Sequence, residues 1–393
     1  MIWPKNSKPA DQRWDVFFEP VMNNTENAIP QKYVVVVFVA QCRGGVFTEE
    51  PECYDIINNK VHKIDYSSWV QRIDPCLALK EGTYPANTPS DLVYEELTYH
   101  LNKGEELDVL DAAIKNAREN YKNGGDVDLI CLSKFISFYL RRGEYSLVEE
   151  YFIKYTKKLT SVSSSSKVEV MGRFEVMEQY LRCVQERCKG NYEESYEIAK
   201  QCSHNLKKLP YCIISAAFYV QIATLENILA MKTEDNEKRL ALRSQAEKNY
   251  VLASSHLKQI QGHRTTKAEY LQKIYINSAL LQLACSLTGD VLQDSEELVD
   301  TEKAKKFLRQ AYDITLDSYP ISKFRKIQSL FAEACLSYRL GREDPSRQNE
   351  TLKHALNYSK EAKNLAEKCT FVEMKKYAEN FIKFFEQSEE SQI

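Results

Sequence analysis

No apolar run in this chain approaches the roughly 20 residues needed to cross a bilayer. The most strongly apolar stretch, Tyr33 to Ala40, is short, and it begins too late and with the wrong flanks for a secretory signal. Glycine is scarce, 12 in 393 residues, and there is no Walker loop, GxGxxG or HExxH, so phosphate-cradling loops and zincin chemistry find no material. Charge of one sign is also lacking. With 53 basic and 56 acidic residues the formal net charge is −3, so nothing global draws the chain to nucleic acid or anionic lipid. Eleven cysteines are scattered from Cys42 to Cys369 without a CxxC pair, which argues against a disulfide framework and for a reducing compartment. The expectation is a soluble, cytoplasmic protein with neither cofactor nor metal. The Cys/His neighbours Cys202-Ser203-His204 and the Cys183 to Cys188 pair match no zinc spacing.

Proline and tryptophan are absent from most of the chain, and where they occur divides it. Pro4, Pro9, Pro20, Pro30, Pro51, Pro75, Pro85 and Pro89 lie at or before residue 89, as do Trp3, Trp14 and Trp69; beyond lie only Pro210, Pro320 and Pro345. Proline removes a backbone donor and clashes with the preceding helical turn. Residues 1–89 are therefore expected to be an irregular segment with one β-strand over 33–40. That strand is β-branched throughout without alternation, the pattern of burial on both faces.

From residue 90 onward apolar residues recur at helical spacing. Leu107, Leu110, Ile114, Ala117 and Tyr121 form one stripe, and Val148, Tyr151, Phe152, Tyr155 and Leu159 form another. Gly104, Gly143, Gly190, Gly289 and Gly341 each interrupt such a stretch, at gaps of 39, 47, 99 and 52 residues. The long gap halves if the turn at Lys232-Thr233-Glu234-Asp235 replaces a missing glycine. The expected fold is all-α: an α-solenoid of about six antiparallel helix hairpins over 90–368, then a capping helix and acidic tail over 369–393. An ordinary helical bundle is the competing reading. Phe384 lies off the stripe of the last helix and is a candidate for self-association.

The turns carry a resemblance. Gly143-Glu144-Tyr145 and Gly190-Asn191-Tyr192 both show the Gly-x-Tyr that opens a second helix, and Ala199, Ala304, Ala311, Ala355 and Ala362 supply small residues on the helices that follow. In these features residues 90–368 resemble the tetratricopeptide-repeat (TPR) superfamily, in a long-helix variant, since the usual period is about 34 residues. The resemblance implies a non-catalytic interaction scaffold whose first helices line a concave groove for a peptide or helix of a protein partner. Lys134, Arg141, Tyr180 and Arg187 are the partner-binding candidates on those helices.

Two alternatives remain open. Lys154, Lys157 and Lys158, then Lys303, Lys306 and Arg309, and Lys323, Arg325 and Lys326 form basic clusters; beside Tyr155 and Tyr180 they would suit single-stranded nucleic acid. Ala40-Gln41-Cys42-Arg43-Gly44 resembles the caspase nucleophile motif with its first two letters exchanged, which would make the segment a truncated or degenerate cysteine hydrolase. The first histidine, His62, falls downstream of Cys42, where that family's order needs one upstream.

Overall fold

A computed structural model describes residues 14–20, 33–39, 53–57, 60–64 and 89–390, apart from 105, 122–124, 164–167, 210, 261–262, 294–297 and 318–320. The chain forms two compact units, Met1–Ala78 and Leu79–Ile393.

In the first unit β1 (Trp14–Pro20) pairs antiparallel with β2 (Tyr33–Val39), Trp14 opposite Val39 and Pro20 opposite Tyr33. β3 (Cys53–Ile57) pairs antiparallel with β4 (Lys60–Ile64). The sequence pattern marked only β2. Its partner ends in proline, which suits a strand end better than a strand interior, and this hid it. Cys42 and the motif around it lie outside the described residues.

Among the described residues the second unit is all-α, with 13 helices. These are α1 (Pro89–Lys103), α2 (Leu107–Asn120), α3 (Gly125–Arg142), α4 (Tyr145–Ser163), α5 (Val168–Lys189) and α6 (Tyr192–Lys208). There follow α7 (Ile213–Lys232), α8 (Asn236–Gln259), α9 (Arg264–Gln282), α10 (Thr301–Asp317), α11 (Lys323–Glu343), α12 (Gln348–Lys368) and α13 (Val372–Glu390). Each odd-numbered helix up to α11 packs against the even-numbered helix that follows it, making six hairpins. The turn at 232–235 is real: Asp235 caps α8 through a bond from the Lys238 amide, 3.1 Å, satisfying one of the donors a helix start leaves free.

The first helices α1, α3, α5, α7, α9 and α11 pack on one another in chain order. α1 also packs against α9 and α11, so the first hairpin meets the last two. This corrects the expected open concave surface. Its residues face inward instead, and Leu97, Ile136, Leu181 and Phe331 are fully or almost fully buried. α7 is the most enclosed element. Contrary to the expectation that no stretch is long enough, it is long and apolar enough to cross a membrane, yet 89% of that apolar window is buried here; a helix apolar on every side is what an all-round protein contact requires.

α13 runs across the ends of the hairpins and not merely along the sixth. Cβ atoms added at Gly104, Gly143, Gly190 and Gly289 would meet Phe371, Val372, Lys376 and Asn380 respectively, four positions in order along the entry to α13 and its first turns. All four glycines have positive φ, between 68° and 95°. The glycine spacing in the sequence thus records the seat of the last helix as well as the turns. Gly341 is different. It lies buried inside α11, where a Cβ would collide with Thr351 Oγ1 on α12 and come within 3.2 Å of Gln348 Cα, so it marks a close helix approach and not a turn. Phe384 packs its ring edge-on against Tyr338, with centroids 5.3 Å apart, so this candidate for self-association is engaged within the chain.

Candidate functional site

At the centre of the helical unit lies a cavity of about 90 Å³. Residues from all six first helices and from α13 reach it, and all four partner-binding candidates are among them. α3 supplies Lys134 and Arg141, and α5 supplies Tyr180 and Arg187. Internal partners engage each of the four, where a groove would have left them to solvent.

Lys134 is 4% exposed. Its ammonium donates to Thr98 Oγ1 at 2.8 Å and sits 3.4 Å from the centroid of the Tyr94 ring, two neutral partners from α1. Burial, reinforced by the Arg141 charge, pulls its pKa well below the usual lysine value. Arg141 donates to the Leu101 carbonyl at 2.7 Å and to Asn102 Oδ1, and its guanidinium stacks 4.2 Å from the Phe324 centroid. Burial and the neighbouring Arg325 lower its pKa to about 10.

Arg187 is held differently. It forms a buried ion pair with Glu373 of α13, and Tyr377 donates to the same carboxylate oxygen at 2.6 Å. Burial opposes the Arg187 charge, and Glu373 outweighs that, holding the guanidinium pKa above its ordinary value. Tyr180 faces Tyr270, whose hydroxyl lies 3.3 Å from that of Tyr94. Burial raises the pKa of all three phenols, so they are neutral and able to donate at physiological pH.

Sequence reasoning missed the other half of the site. α9 contributes Glu269, Tyr270 and Lys273, α11 contributes Arg325, and α7 contributes Gln221. Arg325 pairs with Glu269 at 2.9 Å, and Ser322 donates to the same oxygen at 3.0 Å. Lys273 is 7% exposed, and burial together with Arg325 and Arg187 drives its pKa well down. The Gln221 amide nitrogen is buried without an oxygen or nitrogen acceptor, with only the weakly accepting Cys183 thiol beside it. The available signal was polar residues inside apolar helices: Gln221 in α7 and Gln272-Lys273 in α9 interrupt runs that packing alone would fill with apolar side chains.

Five cations therefore line the cavity against two carboxylates. Arg187 and Arg325 hold those carboxylates, which leaves Lys134, Arg141 and Lys273 outside any salt bridge among the described residues. Buried cations without counter-charge are costly. The arrangement is suited to receiving an anion.

The basic clusters read as a nucleic-acid surface are disposed otherwise. Lys154 pairs with Glu150, Lys158 with Asp128 and Lys303 with Glu247. Tyr155 is fully buried and donates to the Phe174 carbonyl at 2.9 Å, so its ring is closed to stacking. Arg325 belongs to the central cavity, whereas Lys323 is exposed. Among the described residues no group of three or more His, Cys, Asp or Glu is placed to hold a metal ion.

No family model and no curated protein matches this chain.

Proposed function

We propose that this chain is a non-catalytic binding protein on a TPR-like solenoid whose six hairpins wind through one turn and meet, and that the group it recognises is an anion received at the centre. In this reading the first helices carry recognition, as in an open repeat array, but their polar groups converge on a point and not along a groove for an extended peptide. The observation that carries it is the placement of Lys134, Arg141 and Lys273 within the cavity, outside any salt bridge, while Glu269 and Glu373 are engaged by the two remaining arginines. A structural network would be expected to close its own charge balance, since an unmatched buried cation destabilises the fold that contains it.

Thermal melting of the full chain across a panel of anions at fixed ionic strength tests this reading. A ligand that binds only the folded state raises the melting temperature. Multivalent anions are expected to do so selectively, and Lys273→Met to abolish the effect. A melting curve indifferent to every anion would remove the proposal.

A further inference from the structure

We infer that the central cavity is a phosphoryl-group site, taking one phosphate-sized oxyanion, either free inorganic phosphate or the terminal phosphate of a small ester. This rests on reading the cavity as an anion receptor, and it specifies the anion.

Size sets the first limit. About 90 Å³ is enough for one tetrahedral oxyanion and too little for a nucleotide or a length of peptide. Charge sets the second. Three cations lie outside the two salt bridges, and a phosphate monoester carries about −1.5 to −2, whereas a carboxylate offers −1.

Direction of approach sets the third. Lys134 enters from α3, Lys273 from α9 and Gln221 from α7, with neutral tyrosine hydroxyls from α1, α5 and α9. Donors converging from several helices match an acceptor with oxygens on all sides. A planar carboxylate is better served by one bidentate arginine, and both carboxylates in this cavity are already bound to arginine.

The Gln221 amide is the independent observation. Gln221 is 1% exposed and lines the cavity, and its amide nitrogen has no oxygen or nitrogen acceptor in the protein, only the weakly accepting Cys183 thiol beside it. An apolar side chain would have filled that position at no such cost. A phosphoryl oxygen supplies the acceptor, and at the same time offsets the desolvation of Lys134 and Lys273. Because its ligands come from different hairpins, the anion would also clasp the first hairpins to the later ones.

Two measurements on the full chain test the inference. Phosphorus NMR of material released by acid from the freshly purified protein reads any retained ligand, and the chemical shift separates inorganic phosphate from an ester. Calorimetric titration with inorganic phosphate, glycerol phosphate and citrate at equal ionic strength reads selectivity. Expected is binding of phosphate or of glycerol phosphate over citrate, weakened roughly tenfold or more in Lys134→Met and in Lys273→Met, the loss of one charge-assisted hydrogen bond. Lys154→Met, at an exposed lysine paired with Glu150, should bind as the parent does. A silent titration with about one phosphorus per chain in the released fraction also supports the site, as one already occupied. Citrate binding without phosphate binding would overturn the phosphoryl assignment and leave the anion receptor standing. No anion bound and no phosphorus released would overturn both.

Discussion

Arg187 on α5 and Glu373 on α13, 186 residues apart, form an ion pair in which both side chains are more than nine-tenths buried. It ties the last helix to the third hairpin at the edge of the central cavity. Breaking such a pair from one side strands a buried charge, which typically costs about 3–5 kcal/mol, whereas replacing both partners with apolar groups is close to neutral. Glu373→Ala is therefore expected to lose stability in this range by urea denaturation, and Arg187→Met/Glu373→Met to recover most of it. A double variant no better than the single would place the stabilisation in the Tyr377 bond to Glu373 instead.

The glycine turns predict a graded series. At Gly289, with φ of 91°, a Cβ would lie 2.7 Å from Asn380 Cβ and 3.2 Å from the Phe381 backbone nitrogen. At Gly190, with φ of 95°, the nearest contact is the flexible Lys376 ammonium at 4.0 Å. Gly190→Ala should cost only the left-handed backbone penalty, about 1–2 kcal/mol. Gly289→Ala should cost more, and should in addition speed amide exchange in α13. Equal losses without any effect on α13 would mean the helix yields freely at that turn.

Much of this architecture is legible in the sequence because helical burial leaves a periodic trace. The stripe Val148, Phe152, Tyr155, Leu159 becomes the buried face of α4, and Asp235 ends the long gap between glycines as a helix cap. Closure of the series is not legible in this way. Whether α1 touches α11 depends on a small rotation accumulated over six hairpins, and no single residue encodes it. The central site was half visible for the same reason. Lys134 stands out among apolar neighbours on a helix that any stacked array would turn inward, whereas Arg187 sits in the polar run Gln185-Glu186-Arg187-Cys188-Lys189. Glu373 sits in a helix that periodicity places at the end of the stack, and only the fold brings it to Arg187. Arg325 groups with Lys323 and Lys326 in the sequence because neighbouring cations look alike until their helix is oriented. Gly341 was misread because a packing glycine and a turn glycine interrupt a stripe equally.

Glu226 gives the chain a pH dependence separate from the cavity lysines. It accepts from Asn249 at 2.8 Å and from Tyr196 at 3.1 Å, and burial, only partly offset by these bonds, raises its pKa to about 7. The folded state therefore holds this proton over a range in which the unfolded chain, with an ordinary glutamate near 4.5, has lost it. The resulting stability is complete below the unfolded pKa and is lost as pH rises from about 4.5 to about 7. Glu226→Gln, neutral throughout, should flatten the stability profile between pH 5 and 7. At pH 8 it should exceed the parent by on the order of 1–3 kcal/mol. A parent profile that rises across this window would show that Glu226 ionises normally.

The last helix makes the strongest demand on the fold. Phe371, Met374, Tyr377, Phe381 and Phe385 are each 2% exposed or less, and Phe381 and Phe385 lie against Phe331 and Tyr338 of α11, with centroids 5.0 and 5.6 Å apart. Removing residues 370–393 would uncover those rings and four glycine turns together, and would leave Arg187 without its carboxylate. Phe381→Ala alone is expected to cost about 3–5 kcal/mol, as truncation of a buried aromatic does. The deletion should exceed that and expose enough apolar surface to cause association, read by size-exclusion chromatography with light scattering. The two variants separate capping from simple packing. If α13 only fills space, Phe381→Ala should weaken the sixth hairpin while amides in α3 and α5 exchange as before. If α13 fastens the hairpin ends to one another, protection should fall in α3 and α5 as well, because Val372 rests on the turn after α3 and Glu373 holds α5.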